Sequence, residues 1–406
     1  MSKAPLRRTR GDLIATGIIA AVAVLALLIA FFTAPIRQDK LTPAAEELPN
    51  GGVLAIAPQS LQEGATLHDD SPDPRPLTVA GLIVTYDKDS HTITGSTPDG
   101  KEQWTYKRGA ELCGMAEAWD DVVAVYRTNV GCGDVVAIKA TTGQYSHTRS
   151  SVAPDEVEVI SSNDRVGTVA PSRTEIWRSD LVRTVEYGEV EAPQEPEFQP
   201  NPGCRITSAM TRTEFFALTE VCDDGAWLRM QKATPEDSRK PELYESVEIS
   251  EGSYLVAVGQ EAAAVYDPGS SQVTSFNQDG KELASSAVPQ SDLLADSPTG
   301  VANPQIADLP HHMSYYDGKN LMLLDPDTLT VTTIFADALG TGFGAGDRLV
   351  YPTAQGIAVA NWETKSIDRV IPVNRNGHTG SVSIASAGAT VVEKRGTDIA
   401  VLDLVQ

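Results

Sequence analysis

The segment "STPDGKEQWTYKR" at residues 96–108 is echoed by "FNQDGKELASS" at residues 276–286. In both segments an Asp-Gly pair stands between two short runs of residues typical of β-strands. Asp-Gly supplies the positive φ angle that a tight turn between antiparallel strands requires. Each segment therefore predicts a β-hairpin, and the recurrence of one hairpin indicates a repeat architecture.

Eight candidate units share this pattern of a strand, a turn and a second strand. Apolar and polar residues alternate within them, as at Ala262, Ala264 and Tyr266, so that one strand face packs inward. The units are residues 91–107, 134–148, 173–187, 227–249, 262–276, 320–334, 356–373 and 398–406. Meanders of about four antiparallel strands in series predict an all-β fold, a β-propeller of eight blades or alternatively seven.

Closing such a ring requires one more strand, because residues 381–406 supply only about three. An incomplete last blade would leave an exposed sheet edge that other chains could pair with. We predict that the apolar segment "GVLAIAPQS" at residues 52–60 is the missing strand. The beginning and the end of the propeller would then share one blade.

The amino-terminal part of the chain predicts a membrane anchor. Residues 13–32, "LIATGIIAAVAVLALLIAFF", carry no charge, and at about 1.5 Å per residue a helix of this length crosses the ~30 Å hydrocarbon core of a bilayer. The cations that precede it are Lys3, Arg7, Arg8 and Arg10, and the one acid is Asp12. This asymmetry predicts that residues 1–12 are cytoplasmic. A cleaved signal peptide is the alternative, although its apolar core would be only about 7–15 residues long.

The domain organisation follows from this anchor. Residues 33–50 form a linker, and residues 51–406 form an extracytoplasmic propeller in a single-pass protein of the cell membrane. The whole chain has a formal net charge of −23, which argues against a nucleic-acid partner, since that would need clustered Lys and Arg. Anionic lipid head groups would also repel the propeller, so the segment 34–52 is expected to act as a tether.

The four cysteines are Cys113, Cys132, Cys204 and Cys222. Their even number and local spacing in an exported domain favour the disulfides Cys113–Cys132 and Cys204–Cys222, each contributing about 3 kcal/mol in the chain-entropy model. A metal site is a weaker alternative, because no Cys-x-x-Cys spacing accompanies them. The two pairs are expected to occupy equivalent places in two repeat units.

The turn followed by "KEQWTYK" resembles the PQQ-like, or quinoprotein-type, β-propeller repeat, in which an aromatic residue after the turn packs between blades. In this sequence that aromatic is Trp104, and the corresponding positions hold Tyr145, Val185 and Leu283. With its anchor and cysteines, the chain resembles the membrane-anchored PQQ-like propeller proteins of the actinobacterial cell envelope. The resemblance implies a scaffold, as in outer-membrane assembly factors.

Motifs for chemistry are weak, and we predict no enzyme, cofactor or metal. The chain lacks the adjacent cysteines found beside the cofactor of quinoprotein dehydrogenases. The segment "HHM" at 311–313 is expected to face solvent, and "DPDTLT" at 325–330 fits a turn better than a calcium loop. The glycines of "GTGFGAGD" at 340–347 precede a strand rather than a helix, which removes the phosphate-binding helix end.

Two long loops are the candidate recognition elements. The acidic segment 186–203, stiffened by Pro193, Pro196, Pro200 and Pro202, is either a solvated loop or a docking segment for a basic partner. In the insert 289–312, four apolar residues could cover one mouth of the central channel; these are Leu293, Leu294, Ile306 and Leu309.

The predicted function is a non-enzymatic interaction scaffold for other envelope proteins, in assembly or transport, with mycolate-lipid export as one candidate process. The alternative is a binding module that takes a sugar, quinone or lipid fragment in the propeller channel. Neither the partner nor a ligand is identified by the residues themselves.

Overall fold

The computed structural model describes residues 8–34, 37, 39–191, 193, 195, 197–291 and 299–405. Helix α1 (Arg10–Thr33) begins with a capping box between Thr9 and Asp12 and contains the predicted span 13–32. It is long and apolar enough to cross a membrane, and the rest of the chain buries none of its residues. The predicted cations Lys3 and Arg7 lie outside the described residues.

Eight antiparallel sheets, or blades, follow the helix; seven have four strands, and the first has a fifth strand at its outer edge. Two strands precede the first blade, β1 (Lys40–Thr42) and β2 (Leu61–His68). Blade 1 contains β3 (Leu77–Val79), β4 (Leu82–Asp87), β5 (Thr92–Ser96) and β6 (Glu102–Lys107). Blade 2 contains β7 (Glu111–Ala118), β8 (Asp121–Thr128), β9 (Gly131–Lys139) and β10 (Gln144–Ser150). Blade 3 contains β11 (Glu158–Ser161), β12 (Val166–Val169), β13 (Arg173–Trp177) and β14 (Arg183–Gly188).

The remaining blades repeat this arrangement. Blade 4 contains β15 (Arg205–Arg212), β16 (Phe215–Cys222), β17 (Gly225–Lys232) and β18 (Leu243–Ile249). Blade 5 contains β19 (Tyr254–Val258), β20 (Ala262–Asp267), β21 (Gln272–Asn277) and β22 (Glu282–Ala287). Blade 6 contains β23 (Gln305–Asp308), β24 (Met313–Tyr316), β25 (Leu321–Leu324) and β26 (Val331–Phe335). Blade 7 contains β27 (Phe343–Ala345), β28 (Arg348–Thr353), β29 (Gly356–Asn361) and β30 (Ser366–Pro372). Blade 8 contains β31 (Ser383–Ala387), β32 (Thr390–Arg395), β33 (Asp398–Leu404) and β2.

The predicted eight-bladed β-propeller is confirmed. The first strands of blades 1 to 5 contact one another in succession, and those of blades 7, 8 and 1 do the same, so the first strand of each blade lies nearest the axis. We call the face that carries the connections between blades the upper face. The opposite, lower face carries the turns between first and second strands and between third and fourth strands.

Both Asp-Gly segments form the lower-face turn between a third and a fourth strand. Gly100 and Gly280 have φ angles of 82° and 75°, which glycine adopts at little steric cost. Six of the eight predicted units cover the third and fourth strands of a blade. The unit at 262–276 is shifted by one strand, because it covers β20 and β21, and the unit at 398–406 supplies only the third strand, β33.

The predicted closing strand is wrong by about ten residues. Strand β2 (Leu61–His68), not segment 52–60, pairs antiparallel with β33 and completes blade 8. Segment 52–60 instead lies on the lower face, where the Leu54 amide donates to Ser386 Oγ (2.7 Å) and the Pro58 carbonyl accepts from Arg369 (2.6 Å). Leu54 and Ala57 are buried there against blades 7 and 8, whereas Val53 and Ile56 are exposed, and Pro58 has no N–H for a strand ladder.

The linker is attached to the propeller along most of its length. Strand β1 pairs with β6 as a fifth strand of blade 1. The chain then crosses the lower face, where the Ala44 amide donates to Thr142 of blade 2 (3.0 Å) and the Gly51 amide donates to Ala80 of blade 1 (2.9 Å). Only residues 34–39 separate helix α1 from this attachment, a much shorter tether than the predicted 34–52.

The four cysteines form the two predicted pairs, with sulfur–sulfur distances of 2.08 Å for Cys113–Cys132 and 2.00 Å for Cys204–Cys222. Both bonds lie at the upper face. The places of the two pairs are not equivalent, however. Cys113–Cys132 joins the first strand of blade 2 to its third, whereas Cys204–Cys222 joins the start of the first strand of blade 4 to the end of its second.

Candidate functional site

Side chains of the chain itself reach across the axis of the propeller. Arg75, which leads into blade 1, donates to the Ile306 carbonyl of blade 6 (2.5 Å), and Arg212 of blade 4 pairs with Asp308 of blade 6 (3.2 Å). Neither pair of blades is adjacent in the ring. Contacts between non-neighbouring blades are possible only across the axis, so these side chains obstruct the central channel.

The insert before blade 6 adds to this obstruction at the upper face. Thr299 and Asn303 donate to the two carboxylate oxygens of Glu158 in blade 3 (2.8 and 3.2 Å), and the Ala302 amide donates to Thr207 of blade 4 (2.7 Å). Residues 299–304 thus contact blades 3 and 4 before the chain enters blade 6.

The apolar residues expected to cover the channel have different roles. Leu309 is buried in the core between blades 6 and 7, and Ile306 packs beside the cores on both sides of blade 5. Leu293 and Leu294 lie outside the described residues. Within the described residues, the upper mouth of the channel is therefore covered by residues 299–304, which are held by polar contacts.

A carboxyl group near the axis gives a pH-dependent prediction. Desolvation by the surrounding blades raises the pKa of Glu117, on β7, to about 7 from its ordinary 4.5, although Arg75 opposes the shift and the residue keeps contact with solvent. Between about pH 4.5 and 7, Glu117 is therefore protonated to a greater extent in the folded protein than in the unfolded chain. Its contribution to the free energy of unfolding falls as the pH rises through that window.

Glu117→Gln removes this titration, so we expect the variant to be more stable than the parent chain at pH 8 and similar to it at pH 4.5. Thermal unfolding of the full chain in detergent at both pH values measures the difference. Glu282→Gln, at an exposed strand position, is the control and should show no such trend. An equal effect of Glu117→Gln at both pH values would contradict the assignment.

The acidic loop predicted at 186–203 lies against the outer edge of blade 3. The Gln199 side chain donates to the Glu186 carbonyl (3.1 Å) and accepts from the Gly188 amide (3.0 Å). It thereby occupies hydrogen-bonding groups that a further strand would use, which protects this edge of the sheet. Asn201 donates to the Tyr187 hydroxyl (2.7 Å). The loop is thus anchored to the blade, and Pro196 lies outside the described residues.

Beneath this loop lies a buried cluster of three arginines and two glutamates, which we call the arginine cluster. Its members are Arg149 of blade 2 and Arg173, Glu175, Arg183 and Glu186 of blade 3. Arg173 bridges Glu175 (2.5 Å) and Glu186 (2.6 Å). Arg149 pairs with Glu175 (2.5 Å), and Arg183 with Glu186 (2.5 Å). The two glutamate side chains are only 5% and 4% exposed.

The electrostatics of the arginine cluster hold Glu175 ionised. Burial by itself would raise the pKa of Glu175, but Arg149 and Arg173 outweigh it, and the pKa lies below the ordinary value. Trp177 also donates to this carboxylate (3.0 Å). With three guanidinium groups and two carboxylates, the cluster keeps one positive charge in excess.

A cleft of about 440 Å³ separates the arginine cluster from the loop. Arg173, Arg183 and Glu186 lie on its floor, while Val152, Val190 and Phe198 contribute apolar walls. At its rim, the Arg239 guanidinium lies 5.4 Å from the centre of the Phe198 ring, a cation–π distance. The cleft therefore combines hydrogen-bond donors with apolar surface.

The other motifs singled out in the sequence form no comparable site. His311 is exposed, but His312 is half-buried beside Trp362 (5.7 Å between ring centres). The prediction that this segment faces solvent is therefore correct for His311 and wrong for His312. Among the described residues, the one compact group of three metal-ligand side chains is Cys204, Glu220 and Cys222. Its sulfurs are bonded to each other, and its carboxylate pairs with Arg229 (2.7 Å).

Two segments behave as predicted. In the segment 325–330, Asp325 accepts from the Asp327 and Thr328 amides (3.1 and 2.7 Å), which stabilises a lower-face turn between β25 and β26. The glycines at 340–347 lead into the strand β28 (Arg348–Thr353).

Comparison with known proteins supports the fold alone. No family model matches the chain, and no curated protein matches it. Among solved structures, BamB from Moraxella catarrhalis is similar, with 13% identity and a TM-score of 0.51 over 84% of this chain and 99% of BamB. The dihydro-heme d1 dehydrogenase NirN, solved in complex with DHE, is similar with 12% identity and a TM-score of 0.50, over 81% of this chain and 72% of NirN.

Proposed function

We propose that this chain is a membrane-tethered, extracytoplasmic β-propeller that acts as a non-enzymatic protein-interaction scaffold in cell-envelope assembly or transport. The observation that carries the proposal is the obstructed axis. Because Arg75, Arg212 and residues 299–304 occupy the channel, recognition is left to the outer surfaces and loops. This arrangement disfavours the alternative of a small ligand held in the channel.

The resemblance to membrane-anchored PQQ-like propeller proteins of the actinobacterial envelope supports the same proposal, and mycolate-lipid export is one process in which such a scaffold would serve. The fold does not decide between scaffold and enzyme, since NirN is a dehydrogenase. The absence from the sequence of the adjacent cysteines of quinoprotein dehydrogenases supports the non-enzymatic role.

The short tether sets where partners would meet the propeller. Six residues, 34–39, span at most about 20 Å when fully extended, and β1 is hydrogen-bonded to the outer edge of blade 1. With α1 in the bilayer, blade 1 is held near the membrane surface. Partners that are themselves embedded in the membrane would therefore reach blade 1 and its neighbours first.

Crosslinking in intact cells tests the proposal. A photo-crosslinking amino acid at Val130 or Val152, both exposed at the upper face, is expected to yield adducts with other envelope proteins. Lys281, exposed in a lower-face turn, is the comparison position. Recovery of this chain alone from the upper-face positions would contradict a scaffold role, and bound cofactor absorbance in the purified protein would contradict the non-enzymatic role.

A further inference from the structure

We propose that the upper outer corner of blade 1, where β1 begins and β6 ends, binds the phosphate group of an anionic phospholipid in the bilayer that holds helix α1. This inference rests on the proposed membrane tether and names the lipid that the tethered propeller contacts. Three observations lead to it: two lysines opposite each other in the sheet, the lack of an acidic partner for them, and their closeness to the end of the helix.

Lys40 on β1 and Lys107 on β6, which we call the lysine pair, lie directly opposite each other in the antiparallel register. Both are exposed. Tyr106 is buried in the core between blades 1 and 2, so the lysine pair lies on the other face of the sheet. Like charges directly opposite each other destabilise two paired strands. Because opposite Cβ atoms are only about 5 Å apart, one phosphate group can accept from both ammonium groups and relieve this repulsion.

The acids near the lysine pair are engaged elsewhere. Asp39 lies 3.8 Å from Arg108 Nε and accepts from the Gly109 amide (3.3 Å). Asp87, two strands away in the same row of the sheet, accepts from the Ser90 amide (2.7 Å). Within the described parts of the chain, neither lysine of the pair forms an ion pair. Two positive charges are thus left exposed together on a chain whose net charge is −23.

The tether places the lysine pair beside the lipid head groups. Helix α1 ends at Thr33, and the chain turns directly after it, since the Arg37 amide donates to the Ala34 carbonyl (3.0 Å). The Arg37 guanidinium lies 4.3 Å from the centre of the Phe31 ring, and such aromatic residues mark the membrane–water interface. Lys40 follows three residues later, and three residues span at most about 11 Å.

An anionic phospholipid suits this position better than other ligands. The head group of phosphatidylglycerol carries a phosphate alone, whereas that of phosphatidylcholine also carries a cation that the lysine pair would repel. Each lysine near an anionic bilayer surface strengthens attachment about fivefold. Contact at this corner would also offset the repulsion between anionic head groups and the acidic propeller. The short tether keeps lipid at this corner at all times, whereas a protein partner would have to diffuse to it.

Native mass spectrometry of the full chain in detergent tests the site, with phosphatidylglycerol and phosphatidylcholine as probes. We expect Lys40→Gln and Lys107→Gln each to weaken the binding of phosphatidylglycerol about fivefold and to leave the binding of phosphatidylcholine unchanged. Lys101→Gln, exposed in the lower-face turn of the same blade, is the matched control and should change neither. Because the cations of residues 1–12 also attract anionic lipid, the effect of the substitutions is the deciding measurement. An equal loss in Lys101→Gln, or no loss in the other two variants, would overturn the proposal.

Amide hydrogen exchange tests the same contact in a bilayer. In nanodiscs made from equal parts of phosphatidylglycerol and phosphatidylcholine, β1 and the end of β6 should exchange more slowly than in nanodiscs of phosphatidylcholine alone. The double variant of Lys40→Gln with Lys107→Gln should abolish this difference, and Lys101→Gln should retain it. Identical exchange of the parent chain in the two kinds of nanodisc would contradict a lipid contact and favour an acidic protein segment as the partner of the lysine pair.

Glycerol phosphate distinguishes the source of the phosphate group. We expect it to bind much more weakly than phosphatidylglycerol, because the tether does not hold it beside the lysine pair. Binding as tight as that of the lipid, with the same dependence on Lys107, would overturn the lipid assignment in favour of a free phosphate compound. The crosslinking of envelope proteins is independent of these measurements, so failure of the lipid site and failure of the scaffold role are distinguishable.

Discussion

Replacing Lys394 with methionine is expected to destabilise the propeller by about 3–5 kcal/mol, because it leaves a buried carboxylate without its counter-charge. Lys394 lies on β32 and pairs with Asp69, just after β2, at 2.6 Å, with side-chain exposures of 4% and 0%. The ammonium group also donates to the carbonyls of Ser71 (3.0 Å) and Asp73 (2.8 Å). Asp69 in turn accepts from the Tyr86 amide of blade 1 (2.9 Å).

These bonds join blade 8 to blade 1, where the ring closes. Denaturant unfolding of the full chain in detergent, followed by tryptophan fluorescence, measures the loss. Lys281→Met, at an exposed lysine in an Asp-Gly turn, is the matched control and should change stability by less than about 0.5 kcal/mol.

The double variant Asp69→Asn with Lys394→Met isolates the charge. It should be more stable than the single Lys394→Met variant, because it removes the uncompensated carboxylate. A double variant no more stable than the single one would show that lost packing, not charge, causes the effect.

The hairpins were predictable because their signal is local. Asp-Gly at 99–100 and at 279–280 specifies a turn by its own backbone chemistry, and alternation of apolar residues marks the strands on either side. The blade count follows from repetition of this local signal. Ring closure is not local, and here the sequence was misleading.

Strand β2 carries Gly64 and is exposed along both faces for much of its length, so alternation did not mark it. In segment 52–60, Leu54 and Ala57 are buried against blades 7 and 8, whereas Val53 and Ile56 are exposed. A short hydrophobic run therefore did not distinguish a strand from a partly buried loop.

A β-bulge explains why the residues corresponding to Trp104 were assigned wrongly in blades 2 and 5. In blades 1 to 7 the pairing of third and fourth strands shifts by one residue near the start of the fourth strand. As a result, His147 and not Tyr145 corresponds to Trp104 in blade 2. In blade 5 the corresponding residue is Ala284 and not Leu283. An extra residue of this kind has no clear composition signal.

The arginine cluster was missed, although one signal for it existed. Arg173 and Glu175 stand two residues apart in a strand whose other residues are apolar or small, so both side chains point to the same face. Charges at that spacing on an otherwise buried strand indicate a paired cluster. Arg149 comes from another blade, and only the fold brings it to Glu175.

Trp104→Ala is expected to cost about 3–5 kcal/mol, the range for removing a buried aromatic side chain. The ring is 1% exposed, and its Nε1 donates to the Ala140 carbonyl of blade 2 (2.8 Å). Two glycines make room for it: an added Cβ would lie 2.2 Å from the ring at Gly95 and 2.4 Å from Trp104 Cβ at Gly143. The tryptophan thus locks blade 1 to the turn of blade 2, and its loss leaves both a cavity and a buried carbonyl without its donor.

Three variants compared by denaturant unfolding separate these contributions. Trp104→Phe keeps most of the side-chain volume but loses the hydrogen-bond donor. It should lower the free energy of unfolding less than Trp104→Ala does, because the phenyl ring still fills most of the cavity. Trp227→Ala is the matched control, because that ring is partly exposed and donates to Asp224 within its own blade (3.1 Å); we expect a cost below about 1.5 kcal/mol. If Trp104→Ala were no more damaging than Trp227→Ala, packing between blades 1 and 2 would not depend on this tryptophan, and the role of the aromatic residue after the first Asp-Gly turn would have to be sought elsewhere.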